Sequence, residues 1–268
     1  MNIITYDIKT VSKKEQFNLI GLGDIHLGSV GCDIKSLKET IEWIRVTPRT
    51  YWIGMGDFCE CINITDDRFD PYSIDPDYNI RSLSNLITTQ IDDVCALLRP
   101  IKHKGIAFVV GNHEEKLRLF ANRDVGYEMS QKLGIPNLGW DGWVRLRFTR
   151  FKDVTVYTIY VNHGHKGGGR SGGKINALED IAMFMDADLV MVGHSHKKVI
   201  APPILKLGLD HAGKLTSRKQ IAIMTGSFLK TYMENATTYG EKHCYAPCDI
   251  GVVKVMLKPY TKDIHASL

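Results

Sequence analysis

The sequence contains no long hydrophobic run, and no apolar stretch approaches the ~20 residues that a membrane-spanning helix requires. Its first ten residues alternate polar and apolar side chains and lack the continuous apolar core of a signal peptide. Cysteine is scarce, at six in 268 residues, which excludes a dense disulfide framework. We therefore expect a cytoplasmic protein without a membrane partner.

The cysteines also lack the spacing of a structural zinc knuckle. Cys59 lies near Cys61, and Cys244 lies near Cys248, but neither pair has the two-plus-two spacing of such a site. The formal net charge is only +4, which tolerates an anionic substrate without requiring one. A hydrophobic share of 44% and a charged share of 24% are typical of ordinary globular proteins.

Short apolar runs alternate along the chain with segments of helical periodicity, which indicates an α/β protein. We find no internal repeat or linker and predict a single domain over residues 1–268. Predicted helices lie at about 34–47, after the N-cap Asp33, and at 83–98, 114–133 (two short helices) and 175–185. Predicted strands lie at about 1–9, 17–22, 50–55, 105–110, 143–151, 154–161, 188–192, 197–207, 219–226 and 250–257.

Residues 60–80 differ from the rest because they are acidic, interrupted by proline and without periodicity. They predict an inserted loop, which is either a surface excursion or a lid over a site.

Five predicted strands end in side chains that can bind a metal ion. The last of these ends, Gly193-His194-Ser195-His196, fits a metal site and a pair of hydrogen-bonded turn histidines about equally well when it is taken alone. However, ligands of open α/β sheets collect at the carboxyl ends of strands, so we expect the five turns to converge, and each has a glycine beside it. Together they carry Asp24 and His26, Asp57, Asn112 and His113, His163, and His194 and His196.

This donor set is too large for one ion. Its carboxylates, amide and imidazoles suit two divalent ions about 3.5–4 Å apart that share a bridging carboxylate. The set includes no thiolate, which disfavours a structural zinc site. We expect two divalent metal ions, drawn from Mn, Ni, Fe, Zn, Co and Mg, and favour Mn.

The strand-end motifs are Gly23-Asp24-Ile25-His26, Gly56-Asp57, Gly111-Asn112-His113-Glu114, His163-Gly164-His165 and Gly193-His194-Ser195-His196. In this order they resemble the motifs of the calcineurin-like metallophosphoesterase superfamily. One such motif is a weak signal, whereas the ordered set is a strong one. The resemblance implies a four-layer αββα sandwich, with two mixed β-sheets flanked by helices and a dinuclear centre at the strand ends.

The resemblance also implies a role for each residue of the set. His113 would contact the phosphoryl group and protonate the leaving oxygen, and Glu114 would be structural or accept a hydrogen bond from a histidine N–H. Asp57 would bridge the metals and share the catalytic role with His113. The remaining predicted ligands are Asp24, His26 and His196 on the first metal, and Asn112, His163 and His194 on the second.

Hydrolysis would then use a hydroxide that bridges the two metals and attacks phosphorus in line. The phosphoester substrate is less clear, and three functions compete. A phosphodiesterase acting on nucleotides or nucleic acid, including a nuclease, is favoured slightly over a phosphomonoesterase that acts on proteins or nucleotides. A non-catalytic protein that keeps the fold is disfavoured because every expected ligand position is filled.

The slight preference for diesters depends on a Gly-rich basic loop at 166–174. Backbone N–H groups and basic side chains before a helix suit an anion, although five glycines also suit a flexible connector. The loop is not a P-loop, because the residue after Lys174 is isoleucine. We expect Arg170 and Lys174 to contact the substrate by holding a second phosphate or the nucleic-acid backbone. His165 either contacts the substrate, supports a metal ligand or is an ordinary turn residue.

Overall fold

The protein is described here by a computed structural model that covers residues 1–62, 64, 66, 68–78, 80–165, 170–234 and 236–268. The helices are α1 Ile34–Val46, α2 Ile80–Leu83, α3 Leu86–Leu98, α4 Asn112–Ala121, α5 Val125–Leu133, α6 Ser171–Phe184 and α7 Tyr239–Lys242. The strands are β1 Asn2–Lys9, β2 Phe17–Leu22, β3 Thr50–Gly54, β4 Gly105–Phe108, β5 Asp141–Arg150, β6 Asp153–Asn162, β7 Leu189–Val192, β8 Lys198–Ile200, β9 Ile204–Leu209, β10 Leu215–Ser227, β11 Gly251–Val252, β12 Lys254–Lys258 and β13 Asp263–Ser267.

The strands form two mixed sheets. A five-stranded sheet has the order β13-β12-β2-β3-β4, in which β2, β3 and β4 run parallel and β12 and β13 run antiparallel to their neighbours. An eight-stranded sheet has the order β1-β5-β6-β7-β10-β11, and β8 and β9 also pair with β10. Its strands β6, β7 and β10 run parallel, so both sheets bring parallel strand ends to one edge.

The two sheets pack face to face and helices cover their outer faces. The core between the sheets combines Leu19 and Ile53 of one sheet with Ile159 and Met191 of the other. On the outer face of the five-stranded sheet lie α1, α3, α4 and α5, and on that of the eight-stranded sheet lies α6, whose Leu178 packs against strand residues. This arrangement confirms the predicted four-layer αββα sandwich.

The first helix forms as its sequence predicts. The Asp33 carboxylate accepts a hydrogen bond from the Ser36 N–H at 3.1 Å, which caps the helix start. Pro48 lies just beyond its end, and its buried face consists of Leu37, Ile41 and Ile44. Among the described residues, no helix combines the length and the apolar character that crossing a membrane requires.

Several predicted boundaries are corrected by the structure. The predicted helix at 83–98 begins at Leu86 instead, because Asn85 adopts a non-helical conformation, and the separate short helix α2 precedes it. Helix α6 starts at Ser171 rather than at 175, so the end of the predicted Gly-rich loop is helical. Strand β13 was not predicted, since its short polar sequence gains its pairing only from β12.

Candidate metal centre

The predicted ligands all lie where strands end. Asp24 and His26 follow β2, Asp57 follows β3, and Asn112 begins α4 shortly after β4. From the other sheet, His163 follows β6, and His194 and His196 follow β7. Because these strands lie side by side in the two packed sheets, residues far apart in sequence reach one small volume.

The backbone at these turns adopts an uncommon conformation. Five of the predicted ligands have φ in the left-handed region, where a non-glycine residue costs about 1–2 kcal/mol. Hydrogen bonds between strand ends hold it in place: the Asp24 N–H donates to the Gly56 carbonyl at 2.8 Å, and the His26 N–H donates to the Asp57 carbonyl at 3.0 Å. The values are 48° for Asp24, 52° for His26, 49° for Asp57, 63° for His194 and 52° for His196.

One group of donors consists of Asp24, His26, Asp57 and His196. Each offers one ligand atom, and these atoms all lie within 4.8 Å of one another. His26 Nε2 is 3.2 Å from His196 Nε2 and 3.7 Å from Asp57 Oδ2, and His196 Nε2 is 3.4 Å from Asp24 Oδ1. The structure thus brings together the residues that sequence analysis predicted for the first metal and its bridge.

A second group shares Asp57 with the first and adds His163 and His194, with ligand atoms again within 4.8 Å. His163 Nε2 lies 3.3 Å from Asp57 Oδ2 and 3.2 Å from Asn112 Oδ1, which places the predicted amide ligand beside this group. His194 Nδ1 is buried and has no hydrogen-bond partner among the described residues. A buried lone pair without a partner is costly unless an ion or water satisfies it, so the donor set fits a pair of divalent ions.

Charges within the cluster determine which groups are ionised. Burial opposes ionisation of Asp57, but the positive charge of His163 and of other nearby histidines outweighs it and holds the Asp57 pKa well below its usual value. Burial likewise lowers the pKa of His163, but Asp57 outweighs this and raises it to about 10. Burial, reinforced by His163, lowers the pKa of His194 to about 4, so its ring is neutral and can donate a lone pair.

Acceptors on the far side of the rings orient two histidines. His163 Nδ1 lies 2.7 Å from the Met55 carbonyl, and His26 Nδ1 lies 3.0 Å from Glu60 Oε2. Each contact fixes the proton on Nδ1 and turns Nε2 towards the donor group. Sequence analysis missed Glu60, although an acidic residue three positions after Asp57 is a signal that could have indicated it.

His113 lies beside the two donor groups that contain Asp57 and belongs to neither of them. Its Nδ1 contacts the Glu60 carbonyl at 2.5 Å, so Nδ1 carries the hydrogen and Nε2 is the ring nitrogen left for a substrate. Burial opposes protonation, but the charges of Asp57 and Glu60 outweigh it and raise the His113 pKa. This geometry suits the predicted proton donor.

Glu114 joins the turns that carry Asp57 and His113. Its buried carboxylate accepts four backbone N–H groups, and this structural role was one of the two predicted alternatives. Glu114 Oε1 accepts from Phe58 at 2.7 Å and Cys59 at 3.2 Å, and Oε2 accepts from Asp57 at 3.0 Å and Gly111 at 2.8 Å.

The three predicted substrate contacts do not belong to the donor groups. His165 is exposed, and Arg170 is exposed at the start of α6. Lys174 is buried in α6, where desolvation, reinforced by Lys197, lowers its pKa. Residues 166–169 of the predicted Gly-rich loop lie outside the described residues. Contact of His165, Arg170 and Lys174 with substrate stays a prediction.

Two packed mixed sheets with carboxylate and imidazole donors at their strand ends are typical of metal-dependent phosphoester hydrolases. The model of the calcineurin-like phosphoesterase family matches residues 17–198, and the chain belongs to this family. The resemblance inferred from the five motifs is thereby confirmed. A comparison with curated protein sequences returned no significant match.

Solved structures show only a distant likeness. A metallophosphoesterase from Sphaerobacter thermophilus is 13% identical, with a TM-score of 0.38 over 93% of this chain and 86% of that one. Vps29 complexed with Zn²⁺ from Entamoeba histolytica is 11% identical, with a TM-score of 0.40 over 94% and 97%. The NAD nucleotidase NadN of Haemophilus influenzae is 9% identical, with a TM-score of 0.42 over 95% of this chain and 49% of that one.

Proposed function

We propose that the protein is a metal-dependent phosphodiesterase that hydrolyses nucleotide or nucleic-acid diesters. A hydrolytic function is supported by the two donor groups that share the Asp57 carboxylate and by His113, which lies beside them. The net charge of +4 and the exposed basic residue Arg170 support an anionic substrate, among which we favour a diester.

The chain's own residues would hold two divalent ions, with Mn²⁺ as the proposed metal. When bound, such ions supply an activated water as nucleophile and neutralise charge on the phosphate. Asp57 belongs to both donor groups and can therefore be shared between the two positions. The other proposed ligands are Asp24, His26 and His196 for one ion, and Asn112, His163 and His194 for the other.

His113 would protonate the leaving oxygen from Nε2. The Glu60 carbonyl holds its Nδ1, and the His113 backbone N–H donates to Asp57 Oδ1 at 3.0 Å, so both the ring and its main chain are fixed. Burial opposes protonation of the ring, but the charges of Asp57 and Glu60 outweigh it and raise the His113 pKa, a direction that favours general acid catalysis.

The proposal is tested by assaying the protein with a chromogenic phosphodiester, a chromogenic phosphomonoester and single-stranded DNA, each with Mn²⁺, Ni²⁺ and Mg²⁺. We expect metal-dependent turnover of the diester that exceeds turnover of the monoester. Turnover of the monoester alone would instead identify a phosphomonoesterase. Stoichiometric metal without turnover of any ester would identify a non-catalytic member of the family.

A further inference from the structure

Asn162, the last residue of β6, lies between the turns that carry His163 and His194. Its side-chain Oδ1 accepts a hydrogen bond from the Gly164 N–H at 2.6 Å, and its main-chain carbonyl accepts one from the Gly193 N–H at 3.2 Å. One residue therefore contacts the backbone of both turns that supply histidines to the second donor group.

The Gly164 contact determines how closely these two turns approach each other. Gly164 has a φ of +101°, and a Cβ there would lie 2.9 Å from the Gly193 carbonyl oxygen and 3.2 Å from the His194 Cβ. The turns thus lie against each other without room for a side chain, and the centroids of the His163 and His194 rings are 5.2 Å apart. Because the Asn162 amide holds Gly164 in this conformation, it also holds the separation of the two rings.

A buried tyrosine fixes the orientation of this amide. The Tyr160 hydroxyl, on a side chain that is 3% exposed, donates to Asp141 Oδ2 at 2.8 Å. A carboxylate oxygen can only accept, so the hydroxyl hydrogen points towards Asp141, and the hydroxyl oxygen accepts from Asn162 Nδ2 at 3.0 Å. With Nδ2 held there, the amide turns Oδ1 towards the Gly164 N–H, and the three hydrogen bonds run in one direction.

We infer that Asn162 is a positioning residue for the second donor group, and that the chain Asp141–Tyr160–Asn162 sets the affinity of this group for a divalent ion. The inference rests on the proposed metal-dependent function. The three side chains belong to neither of the donor groups that share Asp57. Their hydrogen bonds involve no residue of the first donor group, so their loss should affect the second ion more than the first.

The test titrates Mn²⁺ into the full chain after removal of bound metal, for wild type, Tyr160→Phe, Asn162→Ala and the double variant, and calorimetry measures the two binding steps. We expect Asn162→Ala to weaken one step by roughly tenfold or more, as loss of a residue that orients a metal ligand commonly does, and to change the other step much less. Tyr160→Phe should weaken the same step by a smaller factor. Because both residues act through the Gly164 contact, the double variant should bind no more weakly than Asn162→Ala alone.

Tyr157→Phe is the matched control, because this buried tyrosine of the same strand donates its hydroxyl to the Asp263 carbonyl at 3.1 Å rather than to the chain that ends on Gly164. It should leave both binding steps unchanged. Thermal midpoints measured with a chelator present identify the folded variants, and Tyr160→Phe serves if Asn162→Ala fails to fold. Unchanged binding in the folded variants, or an equal loss in both steps, would overturn the inference. Wild type that shows the expected binding pattern but hydrolyses no ester would overturn only the proposed activity.

Discussion

Replacing Glu114 by glutamine should destabilise the fold by about 3 kcal/mol. The carboxylate accepts four backbone N–H groups, two on each oxygen. Glutamine keeps one acceptor oxygen, so in either orientation two buried N–H groups face an NH₂ group. Each bond to a charged acceptor contributes about 1.5–3 kcal/mol, which gives about 3–6 kcal/mol for two. Burial is the main cause that raises the Glu114 pKa, and repulsion by the Asp57 carboxylate raises it further. Glutamine removes this repulsion, so we expect a cost near the lower end of the 3–6 kcal/mol range, or about 3 kcal/mol.

Urea unfolding followed by circular dichroism measures this cost, with a chelator present so that metal binding does not add to stability. Glu115→Gln is the matched control, because that neighbouring carboxylate makes a partly exposed pair with Arg118, and its loss should cost less than about 1 kcal/mol. If Glu114→Gln cost no more than Glu115→Gln, the four backbone bonds to Glu114 would not stabilise these turns.

Three further outcomes are expected. Asp57→Asn and His196→Ala should each lower metal content and abolish metal-dependent hydrolysis, while far-UV circular dichroism shows the fold intact. Lys104→Met should lower the free energy of unfolding by about 2 kcal/mol, because Lys104 Nζ donates to three carbonyls at the end of α1, at 2.6, 2.9 and 2.9 Å. Urea unfolding measures this cost, and Lys102→Met is the control. Chelation should lower the thermal midpoint of wild type measured by calorimetry, and added Mn²⁺ should restore it.

The strand ends of the site could be predicted from sequence because each is a local pattern. An apolar run followed by glycine and a polar donor predicts a buried strand and its turn without knowledge of the rest of the chain. Parallel strands then place such turns at one edge, so the convergence of Asp24, Asp57 and His194 followed from the fold class. The observed donor groups place Asp24 with Asp57 in one group and His194 with Asp57 in the other.

The contacts around the donors could not be predicted in the same way. Arg68 Nη1 lies 3.5 Å from His113 Nε2 although the two residues are 45 positions apart, and their approach depends on how the connection at 60–80 packs. Glu60 orients His26 across 34 positions, and its side chain could equally have been a solvated carboxylate. Nothing in the periodicity of an irregular segment indicates which of its charged side chains turns inward, so these residues required tertiary structure.

The glycines of the motifs show how closely fold and site are coupled. Gly111 has an ordinary negative φ, so its own conformation does not require glycine, but a Cβ there would collide with the Asp57 carboxylate. At Gly56, which has a φ of +85°, a Cβ would also lie 2.6 Å from His163 Nδ1. Glycine at these positions therefore lets the turns after β3 and β4 approach each other and His163. A side chain at either position would push Asp57 or His163 away, so these glycines determine how closely the donors lie as directly as the donor residues themselves do.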